Sequence, residues 1–426
     1  MKRLLCRDIS RHIGERVLIQ GWLEVARSLG SLHFIIVSDR SGSAQAVFEG
    51  TFAPPPVQSV VGVTGTVRQD ERAPGGAEVA AESLTEISRA EAGLPIEMNG
   101  RSQPGFEAVF EHRVLSMRNR RARAILKVSS EFVRAFREFF RSQGFVEVFT
   151  PKIVATGTEG GADLFEVKYF EKNAYLAQSP QLYKQMMVAT GLERVYEVGP
   201  VFRAEEHNTS RHINQFTSLD IELGFIEDVE DVMRLEEQFL AFALAVIAET
   251  CAVELEALGV VVPVGGRVLR LDIDEARAMA KASSGRDMPE GNLDPEGEKA
   301  VCQTVAEKTG GEFVFITGYP ESVRPFYAMP DAARPGKTRS FDLLFRGLEV
   351  TTGGQRIHDH AMLVEHMLAR GLDPARFRGY LEAFRFGMPP HGGLAIGAER
   401  FAARLLGLSN VREACTFPRD RTRLEP

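Results

Sequence analysis

The sequence predicts an α+β protein with a small all-β domain in front of a larger mixed domain. Three observations carry this. Five short apolar runs separated by turn residues fill about the first hundred positions. A long amphipathic helical pattern begins near Ala124. Beyond it, strand-like segments of antiparallel type are flanked by further helices.

The five runs are Val17–Leu23, His33–Asp39, Ala44–Phe48, Val60–Val67 and Ala77–Ile87, with Asp39–Ser43 and Ala73–Gly76 as turns. Five strands in this length fit a small sandwich or an OB-type barrel, and an uncommitted all-β domain fits the pattern about equally well. Residues 92 to 105 lose periodicity and carry Gly and Pro, as a linker does. The expected division is therefore a β-domain over 1–95, a hinge over 96–113 and the larger domain over 114–426. Arg113 to Lys127 carries six cations and no acid, a solvated face or a phosphate-contacting one. Ile125, Val128, Phe132, Ala135 and Phe139 recur at helical spacing up to Gly144, which stops the helix. Strands are expected at 146–149, 174–177, 195–198, 215–222, 339–350 and 394–396, and a helix at about 229–251.

Composition narrows the function. A chain of 426 residues has room for two or three domains. Hydrophobic content of 44% and charged content of 26% exclude a largely disordered chain. The balance of 51 basic and 58 acidic residues, net −7, argues against a protein that simply coats nucleic acid. No apolar run reaches the ~20 residues of a membrane span, and the charged start MKRLLCRDISRHIGERV lacks a signal-peptide core. Cys6, Cys251, Cys302 and Cys415 are scattered without a zinc spacing, which points to a reducing compartment and a cytoplasmic location.

Three stretches carry chemistry. Between Val201 and Glu222 two alternating segments bracket a polar loop, and Arg203, Arg211 and His212 can face one small space. Arginine forks suit phosphate, and Phe216 can stack on a base; an ordinary salt-bridged hairpin explains the same residues. Between Arg339 and His358, Asp342 and Glu349 stand on an apolar strand pair. Buried carboxylates need partners, either structural cations or a hard metal such as Mg²⁺. Finally, Pro389 to Arg400 runs from a glycine-rich turn into a helix whose first turn carries Arg400, an anion site or a tight connection.

In order along the chain, Val146–Pro151 after the long helix, Phe202–Glu205 with its loop, and Gly397–Arg400 resemble motifs 1, 2 and 3 of the class II aminoacyl-tRNA synthetases. With Gln178–Gln185, they resemble the archaeal-type short form of the aspartyl-tRNA synthetases over essentially the whole chain. About 120 residues separate Glu222 from Asp342, too few for the extra domain of the larger bacterial form. The resemblance implies an N-terminal OB-fold anticodon-binding barrel, a six- or seven-stranded antiparallel catalytic sheet flanked by helices, and a homodimer formed through motif 1.

The implied reaction activates L-aspartate with ATP to aspartyl-adenylate and then transfers it to the 3′ end of tRNA. The resemblance assigns Arg203 to the α-phosphate, and Arg400 and His212 to the γ-phosphate, with Arg211 beside them. It places Phe216 under adenine, Glu205 at its amino group, and Asp342 and Glu349 on Mg²⁺. Lys184 and Arg356 are implied to pair the aspartate side chain, with Asp220 orienting them, Ser179 and Gln181 at the ammonium, and Glu159 on a closing loop. Phe34 and Gln45 match positions that read the middle anticodon uracil, with Arg27 assisting. Packing into the core is the alternative for Phe34. Arg27-Ser28-Leu29-Gly30 departs from the family's Arg-Asp-Leu-Gly, and neither Glu24 nor the 69–76 loop reads clearly. Charging of both tRNA(Asp) and tRNA(Asn) is the expectation. A discriminating enzyme, an asparagine-forming paralogue and a plain OB-fold binder are the alternatives.

Overall fold

A computed structural model describes residues 1–91, 93–98, 104–157, 164–206 and 209–425. It divides into two compact units, Met1–Asn119 and Arg120–Pro426. The segment expected as a hinge contains a short helix, Phe106–Glu111.

In the first unit, β1 (Arg3–Leu4) adds to a ring made of β2 (Arg16–Leu29), β3 (Leu32–Ser38), β4 (Ser43–Glu49), β5 (Val60–Gln69) and β6 (Ala77–Ser88). The order β2-β3-β4-β6-β5 closes through a β2–β5 pairing, so the ring is a barrel and the sandwich is excluded. Closure is written in alternation. Ile19, Ile35, Val37, Ala44, Ala46, Val61 and Val63 fill the barrel core. The basic run after it is not one solvated stripe: Arg113 is buried against Phe110, Arg118 lies over Trp22, and Lys127 pairs with Glu254.

The second unit is built on an eight-stranded sheet. Its strands are β7 (Val146–Glu147), β11 (Arg194–Phe202), β12 (Gln215–Gly224), β13 (Leu269–Asp272), β14 (Phe313–Thr317), β15 (Ser340–Phe345), β16 (Leu348–Arg356) and β17 (His391–Gly397). A separate three-stranded sheet holds β8 (Ile153–Val154), β9 (Glu166–Tyr169) and β10 (Lys172–Leu176). The large sheet runs β13-β14-β15-β16-β17-β12-β11-β7, antiparallel from β14 to β11 with one parallel strand added at each edge. Of these two edge strands, β7 falls within the strand expected at 146–149, and β13 is too short to be read from periodicity.

Alternation gives this sheet two unlike faces. Leu219, Ile221 and Leu223 on β12, Phe341, Leu343 and Phe345 on β15, and Leu394 and Ile396 on β17 join one apolar core. The helices Arg120–Ser142 and Val229–Thr250 supply Phe132, Phe136, Phe139, Phe140 and Phe239 to the same core, with Phe132 stacked on Phe401 at 3.9 Å. On β12 the residues between, Ser218, Asp220 and Glu222, project to the opposite face. Among the described residues no single helix is long and apolar enough to cross a membrane. One pair, Val229–Thr250 with Ala252–Leu258, passes by composition but bends by 85°, and much of its apolar face lies in the core.

One acid sits on the wrong side of this division. Glu236, on the helix Val229–Thr250, is fully buried and neither carboxyl oxygen is hydrogen-bonded. Burial pushes its pKa up to about 8, and the nearby Thr351 hydroxyl offsets this only in part. The folded protein therefore holds this proton more tightly than the unfolded chain does. The associated stability is complete below the ordinary value of 4.5 and is lost as pH rises toward about 8. Glu236→Gln is expected to stabilise the protein by about 2–4 kcal/mol at pH 8 and much less at pH 5. Urea unfolding of both proteins at the two pH values checks this, and a pH-independent difference would contradict it.

Candidate functional site

A cavity of about 310 Å³ opens on the polar face of the large sheet. Ser179, Gln181, Arg203, Glu205, Arg211, His212, Phe216, Asp220, Glu349, Arg356 and Arg400, eleven of the residues expected from the sequence, line it. Lys184 and Asp342 do not line it; each is buried beside residues that do. Glu159 lies outside the described residues.

The resemblance implies that Lys184 and Arg356 pair the substrate carboxylate with Asp220 orienting them; the structure pairs Lys184 with Asp220 and adds Glu222 as a partner of both cations. Lys184 Nζ donates to Asp220 Oδ1 at 3.0 Å and to the Leu394 carbonyl at 3.0 Å, and lies 3.4 Å from Glu222 Oε2. Arg356 Nε donates to Glu222 Oε1 at 3.0 Å, and its Nη2 to the Gly393 carbonyl at 2.9 Å. The physical reason is that a lone buried cation is far costlier than a paired one. Glu222 is the site residue the sequence reading passed over. Its signal was there: two positions beyond Asp220 on one strand, it shares that residue's face. Burial opposes its ionisation, yet Arg356 and Lys184 hold its pKa below the ordinary value. Gly393 is required here, since a Cβ would stand 2.2 Å from Glu222 Oε2 and from the Ile221 carbonyl. Behind Glu222, His391 is buried between the Pro389 carbonyl and Gln185, and burial lowers its pKa to about 4, leaving it neutral. The Gln181 side-chain NH₂ is buried in the cavity wall without a partner.

Arg203, Arg211 and Arg400 bring three guanidinium groups to one cavity. Arg203 lies 5.5 Å from the centroid of the Phe216 ring. Arg400 Nε donates to the Arg211 carbonyl at 3.3 Å, and its Nη1 stands 4.0 Å from Glu349. Burial, then the neighbouring Arg211 and Arg203, push the Arg400 pKa down. This concentration of positive charge needs anions, which is the electrostatic signature of a polyphosphate site. His212 is oriented by Thr209 Oγ1 at 2.6 Å and faces Glu205 at 3.8 Å. Glu399, next to Arg400 at the start of the helix Ala398–Leu405, accepts the Thr217 amide with both oxygens and ties that helix to β12.

Among the described residues no group of three or more His, Cys, Asp or Glu side chains forms a metal-binding cluster. The Asp342–Glu349 pair nevertheless fits Mg²⁺. Thr352 Oγ1 lies 2.9 Å from an oxygen of each carboxylate, and one hydroxyl proton can serve only one of them. Two hard carboxylates that share one hydroxyl donor are a set a divalent cation could join together with substrate phosphates. Asp342 is also a structural ion-pair partner, accepting from Arg324 Nη2 at 2.7 Å. Burial and Glu349 raise its pKa while Arg324 offsets them. Glu349 is held below the ordinary value against its burial, chiefly by Arg400 and Thr352.

In the first unit, Arg27 and Phe34 are directly opposed across β2 and β3. Phe34 is half-buried, and the core is formed instead by Ile35 and Val37, so the packing alternative does not hold. Gln45 on β4 donates to Glu78 Oε2 at 2.6 Å, and Arg68 holds the other oxygen of Glu78 at 2.6 Å.

Residues 106–421 match the family model of class II tRNA synthetases (D, K and N), and residues 17–87 match that of an OB-fold nucleic acid binding domain. A relative from Thermus thermophilus, named an aspartate-tRNA(Asp/Asn) ligase, is 49% identical over 100% of both chains. One from Pyrococcus horikoshii, named an aspartate-tRNA(Asp) ligase, is 43% identical over 97% of both. Among solved structures, asparaginyl-tRNA synthetase from Pyrococcus horikoshii complexed with asparaginyl-adenylate superposes with a TM-score of 0.93 at 33% identity, covering 100% of both chains.

Lys184→Leu would strand Asp220 and Glu222 as under-compensated buried charges. It is expected to cost about 3–5 kcal/mol of stability. Urea unfolding followed by far-UV circular dichroism checks this, because the single tryptophan, Trp22, lies in the smaller unit. A loss near zero would show that the four charges do not depend on one another.

Proposed function

Because this chain belongs to the class II aminoacyl-tRNA synthetases, in the group serving aspartate, lysine and asparagine, we propose that it joins L-aspartate to both tRNA(Asp) and tRNA(Asn). The observation that carries this reading is one cavity lined by Arg356 and Asp220, with Lys184 behind them, and also by Arg203, Arg211 and Arg400. A dicarboxylic amino acid and a triphosphate are the two anions such a cavity accommodates.

The α-carboxylate of aspartate attacks the α-phosphorus of ATP, and the bond to pyrophosphate breaks. No side chain need act as nucleophile; the protein aligns the reactants and stabilises charge on the phosphoryl oxygens. Arg203 takes the α-phosphate, Arg400 and His212 the γ-phosphate. Phe216 stacks under adenine and Glu205 receives its amino group. Ser179 and Gln181 hold the amino acid's ammonium, and Arg356 with Lys184 the side-chain carboxylate. Mg²⁺ held by Asp342 and Glu349 would offset negative charge on the phosphates. The ribose 3′-hydroxyl of the terminal adenosine then takes the aspartyl group and AMP leaves.

An asparagine-specific reading is favoured by the structural likeness to an asparaginyl-tRNA synthetase. Lys184 weighs against it, because a neutral side-chain amide has no use for a second buried cation. For the first unit, Phe34 stacks on the middle anticodon base while Gln45, braced by Glu78, bonds its edge, with Arg27 at the backbone. We further infer a cytoplasmic homodimer. Phe149, Ile153, Tyr169 and Phe170 stand 83%, 47%, 47% and 75% exposed in or after the motif 1 segment, a surface a second copy would cover.

The test is aspartate-dependent exchange of pyrophosphate into ATP, followed by charging of tRNA(Asp) and tRNA(Asn) transcripts at one fixed salt concentration. Exchange is expected, with kcat/KM for the two tRNAs within about tenfold, a difference of ~1.4 kcal/mol. Absence of exchange would overturn the activity. A deficit of about 10³-fold for tRNA(Asn), ~4 kcal/mol, would make the enzyme discriminating.

A further inference from the structure

The helix Pro295–Thr309, between β12 and β15, has no role in the reaction derived above, yet one of its side chains bonds an arginine of the cavity wall. The helix Pro295–Thr309 starts at Asp294, whose side chain accepts from the Gly297 amide, with proline as its first residue. One turn in stands Glu298, only 7% exposed. Both its carboxylate oxygens accept from Arg211 Nη2, at 2.9 and 2.6 Å. One of them also accepts the backbone amide of Glu349 at 3.0 Å. A single buried carboxylate thus joins an arginine of the cavity wall to the strand that carries Glu349.

Resting on the reading that this cavity binds ATP, we propose that Glu298 is a positioning residue for the triphosphate, acting through Arg211. Arg211 is crowded by Arg400, whose Nε bonds its carbonyl, and among the described residues no other carboxylate is bonded to its guanidinium. Held by Nη2 alone, Arg211 keeps its Nε, buried and without a partner, available to a phosphate oxygen. Without Glu298 a flexible side chain among like charges has no reason to remain in that wall. The inserted helix is therefore part of the nucleotide site and not only a scaffold.

The experiment is aspartate-dependent ATP–pyrophosphate exchange by the full-length protein, with Glu298→Gln in the wild-type and Arg211→Ala backgrounds. Gln keeps the shape and the acceptor for the Glu349 amide but loses the charge that holds Arg211. The KM for ATP is expected to rise about tenfold, the worth of one charged hydrogen bond, with the KM for aspartate unchanged. In the Arg211→Ala background the same substitution is expected to change the KM for ATP less than about twofold, because its route is gone. An unchanged KM for ATP, or a full effect in both backgrounds, would overturn the proposal. If Glu298→Gln lowers the melting temperature by more than about 5 °C, Glu298→Asp, which keeps the charge but shortens its reach, is read in the same two backgrounds. Wild-type exchange is the control. Its absence would refute the ATP-binding reading, whereas exchange by wild type with no Glu298 effect refutes this inference alone.

Discussion

Lys184, Asp220, Glu222 and Arg356 sit together under the polar face of an antiparallel sheet, two cations against two carboxylates. Water barely reaches any of them. Each charge is tolerable there only because the others are present, so the four residues constrain everything around them. Gly393 must lack a side chain to let Glu222 through. Burial keeps His391 neutral beside it, although Glu222 favours the protonated form. On the proposed function, the quartet is also what would give the pocket its selectivity. Arg356 lies at its edge and lines the cavity, and a bound carboxylate enters an arrangement whose donors are already oriented. Preorganisation of this kind lowers the cost of binding, because the reorganisation was completed on folding.

Sheet alternation links that quartet to the fold. One face of β12 carries Leu219, Ile221 and Leu223 into an aromatic core, and the other carries Ser218, Asp220 and Glu222 to the site. A slip of one residue in the β12–β17 register would put three polar groups into the core and the leucines into the cavity. The stacked Phe132 and Phe401 fasten the helix Arg120–Ser142 to the helix Ala398–Leu405, which carries Arg400. Core packing and the proposed phosphate site therefore share a backbone.

Much of this was legible in the sequence because it is local. Arg203, Phe216, Asp220 and Arg400 belong to short segments whose alternation or capping places them without knowledge of the rest of the chain. The barrel strands were readable for the same reason, although their closure through β2 and β5 was not. What escaped reading depends on pairs far apart in sequence. Glu298 meets Arg211 across 87 positions, and Arg324 meets Asp342 from an irregular segment. The helix that presents Glu298 did carry a signal in its Asp294-Pro295 start. The edge strand β13 carried almost none, being four residues long, whereas β7 fell within the strand expected at 146–149. Lys184 was expected as a pocket cation oriented by Asp220, and that contact is present; its second carboxylate, Glu222, was not read.

The central claim is that a buried, charge-balanced quartet selects an anionic amino-acid side chain. It is tested most directly by measuring kcat/KM for aspartate and for asparagine in ATP–pyrophosphate exchange with the wild-type protein. A charge-assisted hydrogen bond from Arg356 in the cavity wall, which an amide cannot match, should favour aspartate by about 10²-fold, ~2.7 kcal/mol. Equal use of the two amino acids, or a preference for asparagine, would contradict the account.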